Sequence, residues 1–259
     1  MNLKDPAIIV GMGEMGGSFA RGLLRTGHPV VPVLRNTDPG PIARSVPEPA
    51  ATLVTVGEAD LDHALENLPH QWQSSTVLVQ NELLPRNWVA HGFGSPTVAV
   101  VWFEKKPGRS ENVIIPTPIY GKHARMLVEA LASIDVAATH LNDEAELMYE
   151  LVRKNMYILT ANIAGLVTKG TVHDLWYNNR ELAESVANEI LPIQEWLTGQ
   201  SLDGDRLMAG MVETFDADPD HGSTGRSAPA RLDRAIRHAT EAGIEVPKLR
   251  EIAASIDNG

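Results

Sequence analysis

Ala7-Ile8-Ile9-Val10-Gly11-Met12-Gly13-Glu14-Met15-Gly16-Gly17 is the stretch whose reading decides the fold. A short, largely β-branched apolar run ends at a glycine, and from Gly17 to Thr26 the apolar residues Phe19, Leu23 and Leu24 fall at helical spacing. Strand, tight turn and helix therefore follow one another directly. A G-x-G-x-x-G pattern alone is a weak signal, but in this context each glycine has a mechanical role. Gly11 permits the turn, Gly13 lets bare backbone N–H groups approach a pyrophosphate, and Gly16 allows close helix-to-strand packing at a positive helix end. Gly11, Met12, Gly13, Glu14, Met15 and Gly16 are thus the candidate phosphate loop of a dinucleotide site.

Working outward, Gly27-His28-Pro29 breaks the helix, and Val30 to Leu34 predicts a second, buried strand joined to the first by a right-handed crossover. Leu53 to Val56, Thr76 to Val79, Val98 to Phe103 and Asn112 to Ile115 predict further strands. Pro116-Thr117-Pro118 follows the last of these, Tyr120 to Ser133 reads as a helix, and Val136 to His140 as a closing edge strand. Strand signals stop after Asn142, and helical patterns over 143–169, from 172 or 175 to 199, and 229–242 take over. The expected fold class is α/β: a Rossmann, doubly wound, mostly parallel sheet over residues 1–141, followed by an all-helical domain over 142–259 for substrate binding and dimerisation.

Bulk properties narrow the chemistry. The 259 residues are 43% hydrophobic, enough to bury a core, and the formal net charge of −11 opposes both a nucleic-acid backbone and an anionic membrane face. Small-molecule chemistry is expected, without a nucleic-acid or membrane partner. The absence of cysteine removes disulfides, thiolate nucleophiles and Cys-ligated metals. Met1 to Pro6 leave no room for a signal peptide ahead of the first strand, and no apolar run reaches membrane-spanning length, so a cytoplasmic location is expected.

Strand ends identify the next candidates, because ligands gather at the carboxyl edge of an open parallel sheet. After the second strand comes Arg35-Asn36-Thr37-Asp38 rather than the acid that usually meets an NAD ribose. A guanidinium fork matches a 2′-phosphate, so Arg35, with Asn36 beside it, favours NADP. Asp38 is the competing residue, and its place before Pro39-Gly40-Pro41 suits a turn better than a ribose contact. Asn81, directly after a buried strand, offers a donor and an acceptor to the nicotinamide ribose or substrate. On the first long helix, Lys154, Ile158 and Asn162 recur every four residues along one stripe. Carbonyl reduction needs a proton for the developing alkoxide, which a partly desolvated lysine can supply, although the same spacing fits an ordinary exposed lysine.

Together these blocks make the chain resemble the ketopantoate reductase family over nearly its whole length. The Gly loop, Leu53-Val54-Thr55-Val56 with Ala59-Asp60-Leu61, Val79-Gln80-Asn81, the Lys154 helix, and Ala242-Gly243-Ile244-Glu245-Val246-Pro247 stand in that family's order. The resemblance implies a Rossmann domain, a helical second domain, NADPH as hydride donor, and a 2-oxo acid as substrate. It also implies Lys154 as general acid, Asn81 as the amide at cofactor and substrate, Arg35 at the 2′-phosphate and Asn162 at the substrate. Three positions depart from the pattern: Gly57 replaces a lysine implied for the 2′-phosphate, Ile158 replaces a second helix asparagine, and Ser227 stands where a glutamate is implied. An altered substrate follows.

The polar segment Asp216 to Ser227 reads as a loop before the last helix, where Ser223, Arg226 or Ser227 are candidates to hold a substrate carboxylate. Its Asp216-Ala217-Asp218-Pro219-Asp220-His221 run matches no metal-ligand loop, and no metal is expected. His63, His70, His123 and His140 stand singly and read as surface residues, whereas Trp102 at a strand end is a candidate pocket wall. A homodimer is expected by analogy. Two other functions fit the same residues: an imine or pyrroline-carboxylate reductase, and an NADP-binding sensor without catalysis.

Overall fold

The computed structural model describes residues 4–257. The chain divides into two compact units, Met1–Leu151 and Val152–Gly259. In the first, β1 (Ala7–Val10) leads through the Gly loop into α1 (Glu14–Arg25), then β2 (Val30–Val33), α2 (Pro39–Ser45), β3 (Ala51–Val54), α3 (Leu61–Glu66) and β4 (Thr76–Leu78). After α4 (Pro85–Val89) come β5 (Thr97–Ala99), β6 (Phe103–Glu104), β7 (Asn112–Val113), β8 (Thr117–Tyr120), α5 (Ala124–Ala132) and β9 (Ala138–Leu141). The main sheet runs β2-β1-β3-β4-β5-β8-β9, and all its pairings are parallel except β5 with β8. It is the mostly parallel, doubly wound sheet that the sequence predicts. Because the chain leaves β1 for β2 on one side and returns to β3 on the other, the order reverses at β1, which opens a crevice at the carboxyl ends of β1 and β3.

One face of the sheet is sealed by α1 and α5. Ile9, Leu53, Val77 and Ile119 pack with Phe19 and Leu23 of α1 and with Leu127 and Leu131 of α5 in one buried cluster. Gly22 lets the two helices touch, since a Cβ there would collide with the Ala130 carbonyl. Each fully buried side chain of this size contributes about 1.5–3 kcal/mol relative to exposure.

Several local readings are corrected. β2 is an edge strand with half-exposed residues and an exposed Pro32, not a buried strand; an edge tolerates the missing proline N–H. The 98–103 run divides into β5 and β6, and β6 pairs with β7 in a separate two-stranded sheet that Asn112 joins. Thr117–Tyr120, to which the sequence assigned no strand, forms β8, where Pro118 contributes only as an acceptor, taking the Val100 N–H at 2.9 Å. α5 begins at Ala124, after Gly121 at φ +111°, rather than at Tyr120. Asp38 begins a helix instead of a simple turn: its carboxylate accepts from Gly40 N at 2.9 Å and caps α2. Trp102 is 2% exposed and belongs to the interior.

The second unit is built from helices. The 25-residue α6 (Glu144–Thr168) crosses the boundary between the units, and α7 (Arg180–Thr198), α8 (Gly204–Ala217), α9 (Ala228–Ala242) and α10 (Pro247–Asp257) follow. A single π turn over Asp174–Asn178 precedes α7, and α8 and α10 are helices that the sequence reading did not assign. Because α8 runs to Ala217, the polar loop begins at Asp218 rather than Asp216. Buried polar contacts fix the packing. Asn155 Nδ2 on α6 donates to Gln194 Oε1 on α7 at 2.9 Å, and Arg153 donates to Gly210 O and Thr214 Oγ1 on α8 at 2.9 Å each. The Glu189 carboxylate on α7 accepts Lys248 N and Leu249 N at 2.7 and 2.9 Å, capping the first turn of α10.

Candidate functional site

The Gly loop lies where β1 hands the chain to α1. Gly11 adopts φ +93°, a left-handed conformation suited to glycine, and Gly13 is the extended residue immediately before α1. No side chain caps α1, so its first N–H groups remain available at the crevice, with the positive end of the helix behind them. Gly16 is buried against the turn itself: a Cβ there would collide with the Gly11 carbonyl and stand 2.8 Å from Thr55 Oγ1. A Cβ at Gly13 would meet nothing within 4 Å and would project into open space. Thr55, at the end of β3, locks the arrangement by donating its hydroxyl to Gly11 O at 2.5 Å. Sequence reading placed Thr55 only in a strand; its role arises from the β1–β3 pairing.

The crevice has a volume of 610 Å³, within the range of small-molecule sites. Gly11, Met12 and Gly13 line it from the loop, Arg35, Asn36 and Asp38 from the end of β2, and Thr55, Gly57 and Asp60 from the end of β3. Five of the predicted cofactor residues, Gly11, Met12, Gly13, Arg35 and Asn36, are therefore gathered around one cavity. Arg35 points a largely exposed guanidinium across its mouth and pairs with Asp60, Nη2 to Oδ2 3.0 Å. Glu14, the first residue of α1, lies 3.8 Å from Lys105 Nζ, and Met15 packs on the core.

Asn81 is half-buried in the turn after β4. Its backbone is set by its neighbours: Gln80 Nε2 donates to Val54 O and Val56 O at 2.7 and 3.2 Å, while Glu82 adopts φ +56°. A non-glycine residue in the left-handed region marks a turn held by its surroundings.

In the second unit, Lys154 and Ile158 are 5% and 8% exposed and Asn162 is half-buried, so the predicted stripe lies on a largely buried side of α6. Asn162 Oδ1 accepts from Arg231 Nη1 at 2.5 Å, and its Nδ2 donates to Ser223 O at 3.4 Å. Arg231 went unnoticed in the sequence, although it carried a signal. It shares the buried stripe of α9 with Ala228, Leu232, Ala235 and Ala239, and an arginine at an apolar-face position marks a buried polar site. Ser223 is fully buried, and its hydroxyl is shared between Lys169 O and Gly170 O at 3.1 Å each, closing the end of α6. Its loop is pinned by Val172 N to His221 O at 2.8 Å and Ser223 N to Gly170 O at 3.0 Å. Ser227 is the exposed residue before α9 and makes no capping bond. No group of three or more His, Asp or Glu among the described residues is placed to hold a metal, and none of their helices is long and apolar enough to cross a membrane.

No family model and no curated protein matches the sequence. Solved structures do match the fold. A 2-dehydropantoate 2-reductase from Methylococcus capsulatus is similar over 97% of this chain and 96% of its own, with a TM-score of 0.68 and 13% identity. The chain has the fold of the ketopantoate reductases. A dimeric ketopantoate reductase from Staphylococcus aureus matches over 98% of both chains at a TM-score of 0.66 and 14% identity. A D-mandelate dehydrogenase in complex with NADH is similar to this chain at a TM-score of 0.66, with 13% identity and 96% of each chain covered. The sequence resemblance and the structure thus agree on architecture, with the Gly loop opening the sheet unit and Lys154 on the long helix of the second.

Proposed function

We propose that this protein is a nicotinamide-dependent oxidoreductase that uses NADPH to reduce a small 2-oxo acid or related carbonyl. The observation that carries the reading is the crevice at the β1–β3 switch point. Bare Gly13 and the uncapped start of α1 form its anion-binding wall, and Arg35 supplies the cation suited to a 2′-phosphate. The open space at Gly13, which a Cβ would enter, fits a pyrophosphate drawn against the backbone. When bound, the dihydronicotinamide supplies a hydride to the carbonyl carbon.

The residues of the chain do the rest. Backbone N–H groups of the first turn of α1 hold the pyrophosphate, and Asn81 orients the ribose or the carbonyl. Lys154 gives a proton to the carbonyl oxygen as negative charge develops there. Asn162, fixed from one side by Arg231 and from the other by the Ser223 carbonyl, presents a preset amide to the substrate. Ile158, apolar, and Ser227, in place of a carboxylate, favour a substrate other than ketopantoate. The proposal includes a homodimer acting in the cytoplasm; the dimeric Staphylococcus aureus enzyme of the same fold supports the first part.

The test is NADPH oxidation over a panel of 2-oxo acids and cyclic imines, repeated with Lys154→Ala. A substrate reduced by the wild type and slowed at least about a hundredfold by the substitution supports Lys154 as the acid. Full turnover by Lys154→Ala overturns that assignment.

A further inference from the structure

The Arg35–Asp60 ion pair is unexpected at a site that would take a phosphate. Arg35 follows β2 and Asp60 ends the short turn Glu58–Asp60 after β3, so their contact at 3.0 Å bridges two loops across the mouth of the crevice. The other ionisable neighbours are differently engaged. Asp38 caps α2 through Gly40 N, and His63 Nδ1 lies 3.3 Å from Asn67 Nδ2. Asp60 is therefore the carboxylate that directly confronts whatever Arg35 binds. Gly57, three residues earlier on the same loop, brings no charge of its own.

We propose that Asp60 is the coenzyme-specificity residue of this protein, opposing the 2′-phosphate that Arg35 attracts. The inference rests on reading the crevice as the dinucleotide site. A 2′-phosphate seated on Arg35 must displace the Asp60 carboxylate, or share the guanidinium with it at close range, and either route weakens phosphate binding. A ribose 2′-hydroxyl meets the opposite situation: it donates to Asp60 while the ion pair stays intact. Arg35 and Asp60 consequently offset each other, and the wild type discriminates between NADPH and NADH by less than about tenfold.

The experiment is fluorescence titration of the full-length wild type, Asp60→Asn and Arg35→Ala with NADPH and NADH. It is accompanied by calorimetry with the fragments 2′,5′-ADP and 5′-AMP. Asp60→Asn is expected to tighten NADPH and 2′,5′-ADP by roughly tenfold, to leave NADH and 5′-AMP unchanged or weaker, and to do so less at high salt. Arg35→Ala is expected to shift the NADPH to NADH ratio in the opposite direction. Asp60 is more than half exposed, so the variant should fold; an unchanged unfolding midpoint confirms that the affinities are comparable. Dinucleotide binding with an unchanged ratio in Asp60→Asn, or weakened NADPH binding, overturns the role of Asp60 and leaves the dinucleotide reading standing. Wild type that binds neither coenzyme nor either fragment overturns both.

Discussion

Two alanine substitutions in the same loop, at Gly13 and Gly16, should have opposite consequences. At Gly16 the added Cβ would stand 2.8 Å from Thr55 Oγ1, against about 3.4 Å for an ordinary contact, and would collide with the Gly11 carbonyl. The Thr55-to-Gly11 hydrogen bond and the helix start must separate to admit it, and overpacking of this kind costs about 1–3 kcal/mol. At Gly13 the Cβ meets no protein atom within 4 Å, and φ −78°, ψ −167° is open to any residue. Alanine there should leave stability unchanged or raise it by about 0.4–1 kcal/mol, because the unfolded chain loses freedom. The same methyl group nevertheless enters the space proposed for the pyrophosphate, and should weaken NADPH binding at least about tenfold, or ~1.4 kcal/mol. Urea unfolding and fluorescence titration with NADPH, applied to both variants, separate the two effects. NADPH binding by Gly13→Ala at wild-type affinity would refute the pyrophosphate assignment. Unaltered stability of Gly16→Ala would refute the close packing of the loop on β3.

Two other predictions concern stability. The Glu111 carboxylate, after β6, accepts from Ser18 Oγ and Arg21 Nη2 on α1 at 2.5 Å each, and its side chain is 7% exposed. Burial raises its pKa, but the hydrogen bonds from Ser18 and Arg21 outweigh burial and hold it below the ordinary value. A depressed carboxylate stabilises the fold above its unfolded pKa, and the gain disappears as pH falls through the folded value. Glu111→Gln should therefore cost about 1–2 kcal/mol at pH 7, with the gap to wild type closing below about pH 4 in urea titrations; a gap independent of pH would count against the charged pair. In the second unit, a Cβ at Gly165 would lie 2.7 Å from the Ser223 backbone, so Gly165→Ala should loosen the 218–227 loop. Faster limited proteolysis within that loop is the expected readout, and wild-type resistance would contradict the packing.

The Gly loop was legible because its signal is local. β-Branched residues, glycines at fixed offsets and the helical spacing of Phe19 and Leu23 all act within about twenty residues. Arg35 and the Lys154-Ile158-Asn162 stripe were legible for the same reason: a strand end and a helix face can be counted from the sequence. Elements whose form depends on partners were misread. Asn112 to Ile115 reads as a strand following the main sheet's run, yet only Asn112–Val113 is a strand and its partner is β6, because Phe103 and Glu104 leave the sheet after β5. The strand at Pro118 shows only where β5 and β9 supply neighbours on either side. The weakly patterned α8 and α10 rely on Arg153 and Glu189, which lie far away in sequence.

The sequence by itself determined the βαβ opening with its Gly loop, the change from alternating strands to helices after Asn142, and the residue types at the strand ends that line the crevice. These are fixed by backbone sterics and short-range periodicity. Only the tertiary structure decided the sheet order that opens the crevice, the bond from Thr55 to the loop, the contact of Arg231 with Asn162, and the carboxylate that Arg35 meets. Asp60 is twenty-five residues from Arg35, and no periodicity connects them. They meet because β2 and β3 both pair parallel to β1, which brings the loops that follow them to the same end of the sheet.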